Sequence, residues 1–153
     1  MKCFKKDLAY GKKFEQLSLQ YIPEFTSVEF APDECFTAYD FRAYHVGDVH
    51  DTKYEVKTDR SAIKTGNFFI ETNNKYGKPS GLMVTESDFY ILISADGNDN
   101  IVETYIVPTE TLREFNNKNM CRRVTYPSHG YLLPKTMLDK EISEVAINQM
   151  LDS

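Results

Sequence analysis

The chain has no tryptophan, no Cys-x-x-Cys pair and no long apolar run. Its three cysteines, Cys3, Cys35 and Cys121, are scattered and odd in number. Neither a structural zinc site nor a disulfide framework follows from them, and a reducing cytoplasm is the simplest setting. The longest apolar stretches, such as residues 89–93, fall far short of the ~20 residues that a membrane span needs. Lys2, Lys5 and Lys6 open the chain with no apolar segment behind them, so no secretory signal is expected. Walker and Gly-x-Ser-x-Gly motifs are missing, which removes P-loop nucleotide chemistry and the serine-hydrolase elbow. His45, His50 and His129 have no partners at metal-ligand spacing. Residues 96–100 look superficially like a calcium loop, but Ile101 and Val107 stand where that loop needs Gly and Glu, so a hairpin turn is expected instead.

What is present describes one folded unit. A chain of 153 residues with 41% apolar residues, ten Tyr and ten Phe can bury a sizeable core, and no linker or repeat divides it. A single domain over residues 1–153 is expected. The net charge is −5, which alone argues against a protein that coats nucleic acid. The charges are clustered, however. Residues 1–13 carry five Lys against one Asp, residues 53–78 six cations against three acids, and residues 113–123 four against one. A phosphate-binding face can coexist with an acidic total.

Periodicity gives the elements. Tyr10, Phe14, Leu17 and Tyr21 recur at helical spacing over residues 5–22, and Pro23 ends that helix. Residues 37–45 and 53–58 alternate as strands, and residues 67–71 as a third. A loop over 73–81, a helical turn near 80–86, a buried strand at 88–94 and a strand at 101–107 follow. Then come a short helix capped by Thr109, strands near 122–126 and 131–133, and a helix near 137–151. The order is α/β (α+β) with a mixed sheet.

The chemistry concentrates in the first hairpin. A two-residue Gly47-Asp48 turn sets Asp40 directly opposite Glu55, with Cβ atoms about 4.5–5.5 Å apart on one face. A longer or shifted turn would let Asp48 or Asp51 compete for that place. Like charges so placed are destabilising, and a divalent cation between them resolves the conflict. Lys57 lies two residues on, on the same face, where a lysine can orient a metal-bound water or offset phosphate charge. Glu15 sits upstream beside the helix stripe, and Glu71 closes the third strand.

The order Glu15, Asp40, Glu55-Val56-Lys57 resembles the PD-(D/E)XK nuclease superfamily, which includes restriction enzymes, phage exonucleases and Holliday junction resolvases. The resemblance implies a restriction-endonuclease-like core, a mixed central sheet flanked by helices. It also implies Mg²⁺ (or Mn²⁺) held by Asp40, Glu55 and the Val56 carbonyl, with Glu15 near the metal and Lys57 assisting the attacking water. Residues 67–71, 77–81 and 86–90 are similar to the downstream half of small phage and viral members; there Glu71 would stand near the metal and Ser80 near the bound strand. A viral member would work in a host cytoplasm. The implied activity is hydrolysis of DNA, as exonuclease, endonuclease or resolvase, and a resolvase would act as a homodimer. Tyr39 stands where the superfamily's name has proline, and the Gln-x-x-x-Tyr signature of the RecB-like branch is absent. The alternative is a catalytically silent nucleic-acid-binding module on the same fold.

Overall fold

The computed structural model of the chain describes residues 5–32 and 36–139. Helix α1 (Lys5–Ser18) runs into a single 3-10 turn (Leu19–Tyr21) before Pro23. Its inward face is rotated from the expected stripe. Phe14 and Ser18 are fully buried and Tyr10 half-buried, whereas Leu17 and Tyr21 are 36% and 40% exposed. The (i, i+4) ladder of Tyr10, Phe14 and Ser18 therefore carries the packing, and Leu17 and Tyr21 sit at its edge.

Strand β1 (Phe25–Phe30) comes next, and no alternation in its sequence announces it; its burial pattern lacks a period of two. It pairs antiparallel with β2 (Phe41–His45), which pairs antiparallel with β3 (Thr52–Asp59). The antiparallel trio is thus β1-β2-β3. The strand expected third, β4 (Asn67–Asn73), follows a short helix α2 (Ala62–Thr65) and joins a different sheet. Strand β5 (Phe89–Ala95) lies parallel to β3, and β6 (Ile101–Pro108) is antiparallel to β5. The first sheet is therefore five-stranded and mixed, in the order β1-β2-β3-β5-β6. Helix α3 (Thr109–Asn117) follows, with Pro108 rather than Thr109 at its N-cap; Thr109 is buried and its hydroxyl contacts that of Ser87. Strands β7 (Arg122–Val124) and β8 (His129–Pro134) complete the second sheet, in the order β4-β8-β7. Helical structure resumes at residues 135–139; the rest of the helix expected near 137–151 lies outside the described residues. Of the turn expected at 80–86, only Gly81–Met83 is helical, as 3-10.

Two cores flank the five-stranded sheet. One packs Phe14 and Ile22 against Phe41, Tyr54, Ile91 and Ile93. The other packs Tyr90 and Leu92 against Phe68, Ile70, Leu112, Tyr131 and Leu133, joining the two sheets and α3. Alternate residues of β5 feed opposite cores, which is why that strand reads as a continuous apolar run. Cys121 forms no disulfide and packs half-buried against the Met137 sulfur. Among the described residues no helix is long and apolar enough to cross a membrane.

The β4–β8 pairing depends on Gly130. A Cβ there would stand 2.1 Å from the Ile70 carbonyl oxygen, a backbone atom that cannot swing away. Gly130→Ala is expected to cost about 2–3 kcal/mol, as overpacking does. That is a fall in Tm of about 5–10 °C at this chain length, read by thermal unfolding.

Candidate active site

The β2–β3 connection is a six-residue loop, not a two-residue turn, yet the register is the one expected. Phe41 pairs with Tyr54, Arg42 with Lys53 and Ala43 with Thr52. The paired register ends at Phe41 and Tyr54; beyond it the Asp40 amide donates to the Tyr54 carbonyl at 2.9 Å, one residue out of that register, and Asp40 stands beside Glu55. β2 has not yet begun at this point, so the next β3 amide lacks a strand partner. The Asp40 carboxylate fills the gap: Oδ2 accepts from the Val56 N–H at 2.7 Å. In an extended strand, the N–H and C=O of one residue face the same side. The Val56 carbonyl therefore projects toward Asp40 as well. Asp48 is exposed in the loop, and Asp51 pairs with Arg42 at 3.7 Å. Neither takes the place of Asp40.

Glu15 of α1 stands close enough to Asp40 for the two carboxyls to perturb each other. The three carboxyls thus perturb one another at the mouth of the hairpin, and burial works against their charge. Burial raises Glu55 to about 8, with the Asp40 charge adding to it and the Thr85 hydroxyl and Lys57 ammonium opposing. Glu15 is pushed up to about 7 by burial and then by Asp40, against Lys12. Burial lifts Asp40 too, opposed by the Val56 N–H, by Glu15 and by Lys57. The group titrates as a set and holds protons that isolated carboxylates would release. Among the described residues no set of three or more His, Cys, Asp and Glu side chains is arranged as a metal cage.

Glu55 and Lys57 open into a cleft of about 510 Å³. Phe69, Glu71 and Ser80 line its other wall, and Tyr90 also contributes. Lys57 Nζ lies 5.9 Å from the centre of the Phe69 ring, and Lys57 forms no ion pair with a described residue. The Ser80 hydroxyl donates to Glu71 Oε2 at 2.9 Å. Gly81 follows with φ +49°, and a Cβ there would stand 2.5 Å from the Glu71 carbonyl oxygen, so the turn can press onto β4 only as glycine. Five predicted residues are therefore brought together in two adjoining groups: Glu15, Asp40 and Glu55 at the hairpin, and Glu55, Lys57 and Glu71 in the cleft.

No family model, curated protein or solved structure matches this chain.

Two contributors escaped the sequence reading. Thr85 is buried, with Oγ1 3.1 Å from the Ala38 carbonyl and 3.4 Å from Glu55 Oε2. The neighbouring Glu86 amide donates to the same Ala38 carbonyl at 2.7 Å. Arg113 of α3 holds this turn in place by donating to the Thr85 carbonyl at 2.8 Å. The turn thus fixes the segment that delivers Asp40. The second contributor is Tyr90, paired in register with Glu55. Burial and then the Glu55 charge push its phenol up, so it stays a neutral hydroxyl. Tyr90 is hidden inside an apolar run, and Thr85 sits in a turn with no motif.

Proposed function

We propose that this chain is a divalent-metal-dependent nuclease that hydrolyses DNA phosphodiester bonds. The observation that carries the proposal is the half-buried pair Asp40 and Glu55, which Glu15 adjoins from α1, beside Lys57 in an open cleft. An all-oxygen donor set with an excess of negative charge suits Mg²⁺ or Mn²⁺ and suits neither a soft metal nor a structural zinc ion. Asp40, Glu55 and the Val56 carbonyl would hold the ion, with Glu15 bearing on it from α1. When bound, such an ion polarises a phosphoryl oxygen and lowers the pKa of a coordinated water.

The protein's own groups supply the rest. Lys57 is a cation beside Glu55, placed to orient the attacking water and to offset the charge that develops on the phosphate. The Ser80–Glu71 hydrogen bond ties the Glu71 carboxylate to the wall of the cleft that the two residues share. The order helix, antiparallel β1-β2-β3, then a strand parallel to β3 supports placing the chain on a restriction-endonuclease-like core. The test is incubation with linear, circular and four-way-junction DNA in Mg²⁺ or Mn²⁺, against EDTA. Metal-dependent cutting is expected; none on any substrate, with no Mn²⁺ binding by calorimetry, would overturn the proposal. Lys57→Ala should cut about 10²–10⁴-fold more slowly, the range for loss of a positioned proton-handling group. Its Mn²⁺ affinity by calorimetry should not fall, because Lys57 is not a ligand.

A further inference from the structure

We infer that the open face of the second sheet is a platform for single-stranded DNA running out of the cleft; this rests on the nuclease reading above and names the substrate class. Residues paired across strands share a face. Phe69 pairs with Leu132, and Leu132 with Arg122; Glu71 pairs with Gly130, and Gly130 with Val124. The two cleft residues of β4 therefore continue into a surface formed by Leu132, Val124 and Arg122. Its reverse, bearing Phe68, Ile70, Tyr131 and Leu133, is buried. The platform face stays open: Phe69, Leu132 and Val124 are only partly covered and Arg122 is exposed.

Charge points to the occupant. In a chain of net charge −5, residues 72–85 and 115–138 contain no Asp or Glu but hold Lys75, Lys78, Lys118, Arg122, Arg123 and Lys135. Lys75, Lys78 and Arg122 form no ion pair with any described residue. Free cations beside the cleft, in segments that carry no acid, suit a phosphate backbone.

Aromatics point to unpaired bases. The register Asn73 with His129, and Val124 with Gly130, brings two hairpin tips to the same end of the sheet. Tyr76 on one tip is 76% exposed and Tyr126 on the other 86%. The first tip is closed by its own hydrogen bonds. The Asn74 carboxamide oxygen accepts from the Tyr76 and Lys78 amides at 2.9 and 3.1 Å, and Gly77 adopts φ +80° to close the turn. Asn74 and Pro79, at the base of this tip, line the cleft. Large aromatics left in water on two neighbouring tips, among free cations, are the elements of a sequence-tolerant single-strand site, in which bases stack and phosphates are held by charge.

The test uses Glu55→Gln, so that DNA is bound without being cut, and fluorescence anisotropy with a labelled 12-nucleotide DNA strand, a blunt duplex and an RNA strand. The DNA strand should bind tightest. Adding Tyr76→Ala and Tyr126→Ala should weaken strand binding at least about tenfold and leave duplex binding unchanged. Both side chains lie in solvent, so their loss leaves the fold intact, as thermal unfolding would verify. Arg122→Glu should weaken binding to the DNA strand and lower the slope of log affinity against log salt by about one. Undiminished strand binding by the double tyrosine variant, or tighter binding of blunt duplex or RNA, overturns the platform; if the wild type still cuts DNA with Mn²⁺, the nuclease reading stands without it. Neither binding nor cutting of any DNA overturns both.

Discussion

Glu55→Gln is expected to abolish metal-dependent cutting while making the metal-free protein more stable. The two effects come from one carboxyl. Glutamine keeps the shape of the side chain but carries no charge, so the pair with Asp40 loses half its donor charge. Even outer-shell partners of a metal ligand are worth 10–100-fold, so loss of a ligand should cost more than about a hundredfold in rate. Stability moves the other way. Burial and Asp40 hold Glu55 at about 8, against an ordinary value of 4.5. At neutral pH the unfolded chain ionises this group freely and the folded chain must keep it protonated or bury its charge, so ionisation favours unfolding. Removing that penalty is worth on the order of 2 kcal/mol at pH 7–8, or a rise in Tm of about 4–8 °C. Thermal unfolding in EDTA beside a cleavage assay checks both arms. A variant less stable than wild type in EDTA would mean that Glu55 is a structural hydrogen-bond acceptor and not a destabilising buried acid. Strain held at a site and relieved by mutation is the expected mark of function in a chain that folds for use as well as for stability.

How legible was this in the sequence? The hairpin register was, because period-two alternation on both strands leaves little freedom: slipping one strand by a residue would expose Phe41, Ala43 and Tyr54. It held even though the real loop is six residues, since the loop leaves the ladder pairing unchanged. The inward pattern of β4 was equally readable, but its sheet was not. Phe68 and Ile70 show that one face is buried without showing against what, and the partner, β8, lies some sixty residues later. β1 was missed because it is an edge strand with no clean alternation. At the site, acids announce themselves by charge, so Glu15, Asp40, Glu55 and Glu71 were found. Thr85 and Tyr90 act through long-range contacts, to Ala38 and Glu55, that no local spacing encodes.

In EDTA the folded protein should lose stability as the pH rises from about 4.5 to about 8, and Mg²⁺ or Mn²⁺ should restore it at the alkaline end. The sign follows from proton counting. Glu15 and Glu55 have folded values of about 7 and about 8 against an ordinary 4.5. Between those limits the folded chain binds more protons than the unfolded one, so stability falls with increasing pH. Below about 4.5 both states are protonated at these groups and the penalty vanishes. The carboxylates of Asp96, Asp99 and Glu103 are held below their ordinary values, Asp96 chiefly by the Asn100 amide, Asp99 by Arg60 and Glu103 by the Tyr105 hydroxyl. They weaken the fold only as pH falls into and below the normal carboxylate range, so their contribution separates from the cluster's. A bound divalent cation takes over the work of the protons, and its binding to the folded chain alone stabilises that state by mass action. The measurement is Tm against pH from 4 to 9, with EDTA or with millimolar Mn²⁺, for wild type and Glu55→Gln; subtracting the two curves isolates the contribution of Glu55. The EDTA curve of wild type should slope down, that of the variant should slope less, and Mn²⁺ should lift only the wild type above pH 7. A wild-type curve flat from pH 5 to 8 would show that the three carboxyls are hydrated and uncoupled, and would remove the electrostatic ground for a metal between Asp40 and Glu55.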